Sequence, residues 1–193
     1  MRRRTFDAVA IIAGLVLTVV LAIGGALLLW GHSVVNTDVH NQLAAQKIVF
    51  PTASSPEIKA LPASDAAAMK QYAGQLMTTG GQAEAYADHF IAVHLGKIGG
   101  GKTYSQLSAA SLANPKNAAL AQQVQTVFRG QTLRGMLLNA YGWWKVSQIT
   151  YIASLIAFGL GGLTLLASLF GLTVGRHPEI VHEIIDGTPV THA

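Results

Sequence analysis

Two stretches of the chain carry no charge, and between them apolar residues recur at helical spacing. The first stretch, 8–30, is 23 residues of mainly Leu, Val, Ile, Ala and Gly. As a helix it would be about 34 Å long, enough for a hydrocarbon core of roughly 30 Å. The second, 146–174, is entered past Trp143 and Trp144, with Tyr151 near its start, and is left at Arg176. Trp30 closes the first span at the kind of interfacial position that Trp and Tyr favour.

Beyond the first span, Val35, Val39 and Leu43 keep a four-residue spacing, which predicts that the helix continues toward Lys47 and ends at Phe50-Pro51. The proline-rich stretch Pro51–Pro62 reads as an extended linker. Ser64 or Asp65 is placed to cap a helix carrying Met69, Tyr72, Ala73, Leu76 and Met77, which stops at Gly80-Gly81. Ala83, Tyr86, Ala87, Phe90, Ile91, His94 and Leu95 then form the apolar face of an amphipathic helix, with Glu84 and Asp88 on the opposite face. That helix runs out at Gly96 and the glycines 99–101. Thr103 and Gln106 have capping-box spacing for the next helix, and Asn114-Pro115 predicts a further start leading through Leu120, Val124, Val127, Phe128 and Gln131 to the second span. Gly130, Gly135 and Gly142 are expected to bend it. The predicted class is all-α, two transmembrane helices flanking a helical bundle.

Charge fixes a predicted orientation. Arg2, Arg3 and Arg4 precede the first span and no basic residue follows it before Lys47, which puts the N-terminus inside. The nine basic residues between the spans weigh little, because a loop of this length crosses largely regardless of charge. The expected layout is cytoplasmic 1–7, transmembrane 8–30, extracytoplasmic 31–145, transmembrane 146–174 and cytoplasmic 175–193, in the inner (plasma) membrane. The first span reads as an uncleaved signal anchor: it is longer than a usual signal-peptide core, and Trp-Gly-His-Ser-Val-Val offers no small-x-small cleavage site. In the tail, Ile180, Ile184 and Ile185 predict one amphipathic turn for a partner.

Composition agrees. Only 11% of residues are charged and 51% are hydrophobic, too little charge to cover a water-facing surface unless part of it faces lipid. Cysteine is absent, which removes disulfides, thiolate metal sites and cysteine nucleophiles. Neither span holds an ionisable residue, so neither predicts a proton or ion path. Small residues recur every fourth position, as Ala10, Gly14, Thr18, Ala22 and Ala26 in the first span and Ala153, Ala157 and Gly161 in the second. Such rows let helices approach closely, within one hairpin or between copies. There is no basic run beyond Arg2–Arg4 and no basic–aromatic interleaving, so no nucleic-acid partner is expected.

One chemical motif stands out. Gly96–Thr103, Gly-Lys-Ile-Gly-Gly-Gly-Lys-Thr, fits the phosphate-binding pattern G-x-x-x-x-G-K-[ST]. It follows an apolar-faced helix rather than a strand, no aspartate closes an apolar strand to hold Mg²⁺, and the predicted topology points it outward. It is therefore read as a glycine helix end, a turn and a threonine cap, with Lys97 and Lys102 solvated and no nucleotide bound. His89 and His94, five apart, stand about 140° apart around a helix and share no face as zinc ligands would. His94 reads as a packed core histidine, and His32 and His40 as solvated. No catalytic, cofactor-binding or metal residue is assigned, and no cofactor.

The runs Tyr86–Leu95, Gly99–Leu107 (Gly-Gly-Gly-Lys-Thr-Tyr-Ser-Gln-Leu) and Phe128–Tyr141, with Gln46–Pro51 after the first span, resemble a family of small actinobacterial two-span membrane proteins of unestablished activity. The resemblance also raises ring-opening dioxygenase chemistry, which needs an iron held by two histidines and a carboxylate. His89, His94 and Asp88 are the local candidates and their helical spacing does not bring them together, so that chemistry is not adopted. The expected function is a non-catalytic accessory or scaffold protein whose extracytoplasmic domain binds a protein or envelope partner. The alternatives are an extracytoplasmic small-ligand receptor, with His94, Tyr86 or Arg134 lining a pocket, and thirdly an enzyme with an unrecognised site.

Overall fold

The computed structural model describes residues 3–176; the predicted turn around Ile180, Ile184 and Ile185 lies outside the described residues. Among the described residues seven α-helices follow one another: α1 (Arg3–Ala45), α2 (Pro56–Lys59), α3 (Ala63–Lys70), α4 (Gly80–Tyr86), α5 (Ala92–Ile98), α6 (Tyr104–Ala113) and α7 (Ala118–Arg176), with a π-helical turn, Ala87–Ile91, joining α4 to α5. The described residues divide into two compact units, one of residues 3–32 and 149–176, the other of residues 33–148. The described residues are all-α, and α1 and α7 are both long and apolar enough to cross a membrane.

In the first unit, α1 and α7 run antiparallel along a narrow seam. On α1 the shielded row is Ile11, Gly14, Thr18, Leu21, Gly25, Leu28 and His32; on α7 it is Thr150, Ser154, Ala157, Gly161, Thr164, Ser168 and Gly171. Spacings of three and four alternate in both rows. They average 3.5 residues per turn, so the rows stay on one face over the whole contact. A four-residue row drifts off that face, which is why Ala10, Ala22 and Ala26 are exposed while Gly14 and Thr18 lie in the seam.

Every α7 position in the seam is small, and larger α1 side chains fill the space. A Cβ added at Gly171 would lie 3.2 Å from Ile11, one at Gly161 would lie 3.4 Å from Leu21, and one at Gly14 would collide with the Ser168 hydroxyl. His32 rests on the Tyr151 ring at 4.9 Å, so it is packed rather than solvated as its sequence position suggested. The hydroxyls are satisfied within their own helices: Ser154 donates to Tyr151 O (2.7 Å), Ser168 to Thr164 O (2.8 Å) and Thr18 to Gly14 O (2.9 Å). Thr18 and Thr164 meet across the seam at 2.8 Å. Side-chain hydrogen bonds between helices in an apolar environment average about 0.6 kcal/mol and reach at most about 1.7 kcal/mol.

In the second unit, Phe50, Ile58, Met69, Met77, Ala83 and Ala87 form the centre of the core, each 0–1% exposed, with Val39, Leu43, Ile91, Leu95 and Leu137 around them. A smaller cluster joins Leu107 of α6 to Val124 and Val127 of α7. Several predicted boundaries move. The proline-rich stretch is not wholly extended: Ser55 and Pro56 start the single turn α2, which buries Ile58. The helix at Met69 stops at Lys70, and neither Ser64 nor Asp65 caps it. Residues beyond it extend instead and pair with the chain after α1, through Phe50 N–H to Gln75 O (2.9 Å) and Met77 N–H to Ile48 O (2.8 Å). Gly80 begins a helix where a stop was expected, because Thr79 and Gln82 form a capping box just before it. Asn114 ends α6, and the cap of α7 is Asn117, whose side chain accepts from Leu120 N–H at 3.0 Å. The Thr103–Gln106 capping box is present as predicted. Gly130 interrupts nothing; Leu95 occupies the space its side chain would fill.

The seam makes a direct prediction. With no native cysteine to interfere, the double variant Thr18→Cys/Thr164→Cys should oxidise to an intramolecular disulfide, and the protein should stay monomeric on a denaturing gel. A cross-linked dimer as the main product would show that these rows pair copies instead.

Candidate functional site

Polar chemistry in the second unit gathers around the π turn. A regular helix closes i→i−4 hydrogen bonds; here Ala92 N–H reaches Ala87 O, five residues back. The extra residue in the turn leaves Ala87 and Ile91 in the core while turning Asp88 and His89 toward other helices. Such insertions are frequent at functional positions. Asp88 Oδ1 accepts from Arg134 of α7 through both Nε (3.1 Å) and Nη2 (2.5 Å). His89 Nδ1 lies 2.7 Å from Asp65 Oδ1 of α3. Both pairs are about a third exposed or less on each side chain, so each fixes helix positions more than it adds stability.

A row of rings leads from the segments before α2 and after α3 onto the same helix. Tyr72, Phe50, Tyr86, Phe90 and His94 follow one another with centroid separations of 5.3, 5.3, 4.9 and 4.4 Å. His94 is half-buried, and its Nδ1 lies 2.7 Å from Phe90 O, so it stacks at the edge of the core rather than inside it. Burial pushes the Tyr86 phenol above its ordinary value of 10.0. The carboxyl of Glu57 is held below its usual range, first by its own backbone N–H at the start of α2 and next by Ser55, with the His94 side chain adding a smaller effect in the same direction.

The glycine segment is a turn whose backbone is already occupied. Gly99 N–H bonds Leu95 O (2.8 Å), Gly100 bonds Lys97 O (3.2 Å), Gly101 bonds Gly96 O (2.9 Å) and Lys102 bonds Gly99 O (3.1 Å). Thr103 N–H goes to Gln106 Oε1 (2.9 Å). A phosphate loop works by turning these donors onto its ligand; here all five are engaged. Gly100 and Gly101, at φ +56° and +76°, lie in the left-handed region that suits glycine. Lys97 is not simply solvated, since its Nζ donates to Ala60 O at 2.7 Å and ties the end of α5 to the chain after α2.

Beside this turn lies a cleft of about 190 Å³, lined by Lys102, Thr103, Gln131 and Arg134 over an apolar floor that includes Leu95 and Val127. Arg134, anticipated as a pocket residue, is in it. Tyr86 and His94 are not among its lining residues. The ion pairs and Gln131 were missed by the sequence reading. The available signal was that Arg134 follows Val127 by seven residues and precedes Leu137 by three, which puts a guanidinium on the inward row of α7, where it needs a carboxylate.

Metal chemistry has no assembled site among the described residues, where no three His, Cys, Asp or Glu side chains converge. The three local candidates diverge: Asp88 goes to Arg134, His89 to Asp65 and His94 to Phe90 O. The Asp65–His89 pair could orient an imidazole base, but no nucleophilic hydroxyl contacts it among the described residues. The chain matches no protein-family model, no curated protein and no solved structure.

The Tyr86 shift has a definite sign. A phenol whose folded value is raised contributes stability that is complete below the ordinary value of 10.0 and is lost as the pH rises through the folded value. In an alkaline titration followed at 295 nm, Tyr86→Phe should remove a late-ionising component and make the loss of helix above about pH 10 less steep. An unchanged late component would assign it to another tyrosine.

Proposed function

We propose that the chain is a non-enzymatic, two-span protein of the inner (plasma) membrane, serving as an accessory or scaffold subunit through its helical domain 31–145. In this reading residues 1–7 and 175–193 are cytoplasmic and 31–145 extracytoplasmic, as the three leading arginines favour. It keeps the resemblance to small actinobacterial two-span proteins as a proposal of kinship.

The carrying observation is the surface of the α1–α7 pair. The small residues face the seam, and the outward faces carry large apolar side chains: Ile12, Ile23 and Leu27 on α1 and Leu163, Leu166 and Phe170 on α7 are each 58–66% exposed. Water tolerates scattered apolar residues but not a surface of this extent, whereas lipid requires it. A folded domain between two such helices, without an assembled catalytic constellation among its described residues, supports binding rather than turnover.

A second reading, a small-ligand receptor working through a partner, draws on the cleft. Its form with Tyr86 and His94 as pocket residues loses support, because those rings stack in a row; its form with Arg134 gains it.

Single cysteines test the topology. Lys116→Cys, in the exposed turn between α6 and α7, should react with a membrane-impermeant maleimide in intact cells. Asp7→Cys should react only after permeabilisation. The reverse pattern would invert the proposal, and a chain recovered outside the membrane fraction would end it. Chemical cross-linking followed by purification in mild detergent should recover a partner in constant ratio; a chain always recovered alone as a monomer would sink the accessory role.

A further inference from the structure

We propose that the cleft beside the glycine turn binds a small anionic group, a phosphate or a carboxylate, through the side chains of Lys102 and Arg134. The inference extends the receptor reading by naming the chemistry of its ligand, and the accessory role stands or falls separately.

The cleft brings two cations to one apolar-floored surface. Arg134 is held from one side: Nε and Nη2 both converge on a single oxygen of Asp88. A guanidinium has five N–H donors in a rigid fork, so the Nη1 edge keeps its donors while Asp88 fixes the plane. The Lys102 side chain is exposed and makes no hydrogen bond or ion pair within the described residues. One carboxylate against two cations leaves an excess of positive charge at the cleft.

Neutral donors complete the lining. Thr103 Oγ1 accepts from Gln106 N–H at 3.3 Å, which leaves its own hydrogen to donate, and the Gln131 carboxamide lies across from it on α7. Because the backbone donors of residues 99–103 are engaged, recognition falls to side chains, and the pattern Gly-Gly-Gly-Lys-Thr acts here by placing Lys102 and Thr103. Leu95, Ala92 and Val127 exclude water from one side, which strengthens charge-assisted hydrogen bonds on the other.

Volume limits the ligand. Sites for drug-sized molecules occupy roughly 300–1,000 Å³, so a cleft of about 190 Å³ takes a phosphate monoester or a small carboxylate, not a nucleoside triphosphate. The group could belong to a free solute or to the headgroup of an anionic lipid. The chemistry is shared, and the experiment separates the sources.

The test uses the full chain, ¹⁵N-labelled in a non-ionic detergent, titrated with inorganic phosphate at constant ionic strength. Saturable shifts are expected at the Gly101 and Lys102 amides and the Gln131 side-chain amide, with a Kd on the order of 1 mM. Lys102→Gln should weaken binding about tenfold, the loss expected for a charge-assisted contact. Lys59→Gln, which removes another exposed lysine, should leave it unchanged. In nanodiscs without added phosphate, the same resonances moving with phosphatidylglycerol but not phosphatidylcholine would assign the anion to a lipid headgroup. Response to inorganic phosphate alone would assign it to a free solute. No saturable shift from either source, or equal weakening in Lys102→Gln and Lys59→Gln, would overturn the site.

Discussion

What α7 can carry is decided by the side chains it lacks on one row. In the first unit, Gly161 and Gly171 leave room for Leu21 and Ile11 of α1, and Gly14 of α1 leaves room for Ser168 in return. In the second, Gly130 leaves room for Leu95, while Trp144 takes the space beside Gly80 of α4. Two helices packed through apolar side chains stand about 8–10 Å apart; removing Cβ atoms brings the backbones closer and multiplies dispersion contacts. The helices of the first unit are long and apolar enough to cross a membrane, and between helices in lipid packing and hydrogen bonds, not a hydrophobic drive, govern association.

The same constraint explains how far the sequence could be read. Both apolar helices, the continuation of α1 through Val39 and Leu43, the inward face Ala83–Leu95 and the Thr103 cap were legible, because each is a local pattern with a local cause. The seam was half legible. Gly14, Thr18, Ala157 and Gly161 were recognised as packing residues, but the four-residue count hid the alternation that adds Ser154, Thr164 and Ser168. Hydroxyl residues in an apolar run look like interruptions until their hydrogen bonds to the preceding turn are counted.

Non-local decisions were not legible. Near Leu76 the local break is Gly74, at φ +72°; beyond it the chain extends because Ile48 and Phe50 supply backbone partners from the far side of α2 and α3. The π turn is similar. Its one extra residue lets Ala87 and Ile91 stay buried while Asp88 reaches Arg134, 46 positions along the chain. A strict 3.6-residue count gives the buried face correctly and the polar face incorrectly, since the insertion re-aims only the residues the core does not hold. Asp65, read as a cap, is for the same reason the partner of His89.

The glycine motif shows why letters and chemistry separate. A phosphate loop needs glycines so that its N–H groups can leave the helix and surround an anion. In residues 99–103 the glycines do the opposite: they let the chain turn tightly enough that each N–H finds an acceptor nearby, while Thr103 and Gln106 close the start of α6. What the motif leaves to the surface is a lysine and a hydroxyl. Those groups become chemically interesting only because α7 delivers Arg134, already oriented by Asp88, to the same cleft. Any affinity for anions is thus a property of the tertiary fold, with the charge on one helix, its counter-ion on a π turn, and the second cation on a loop whose backbone takes no part.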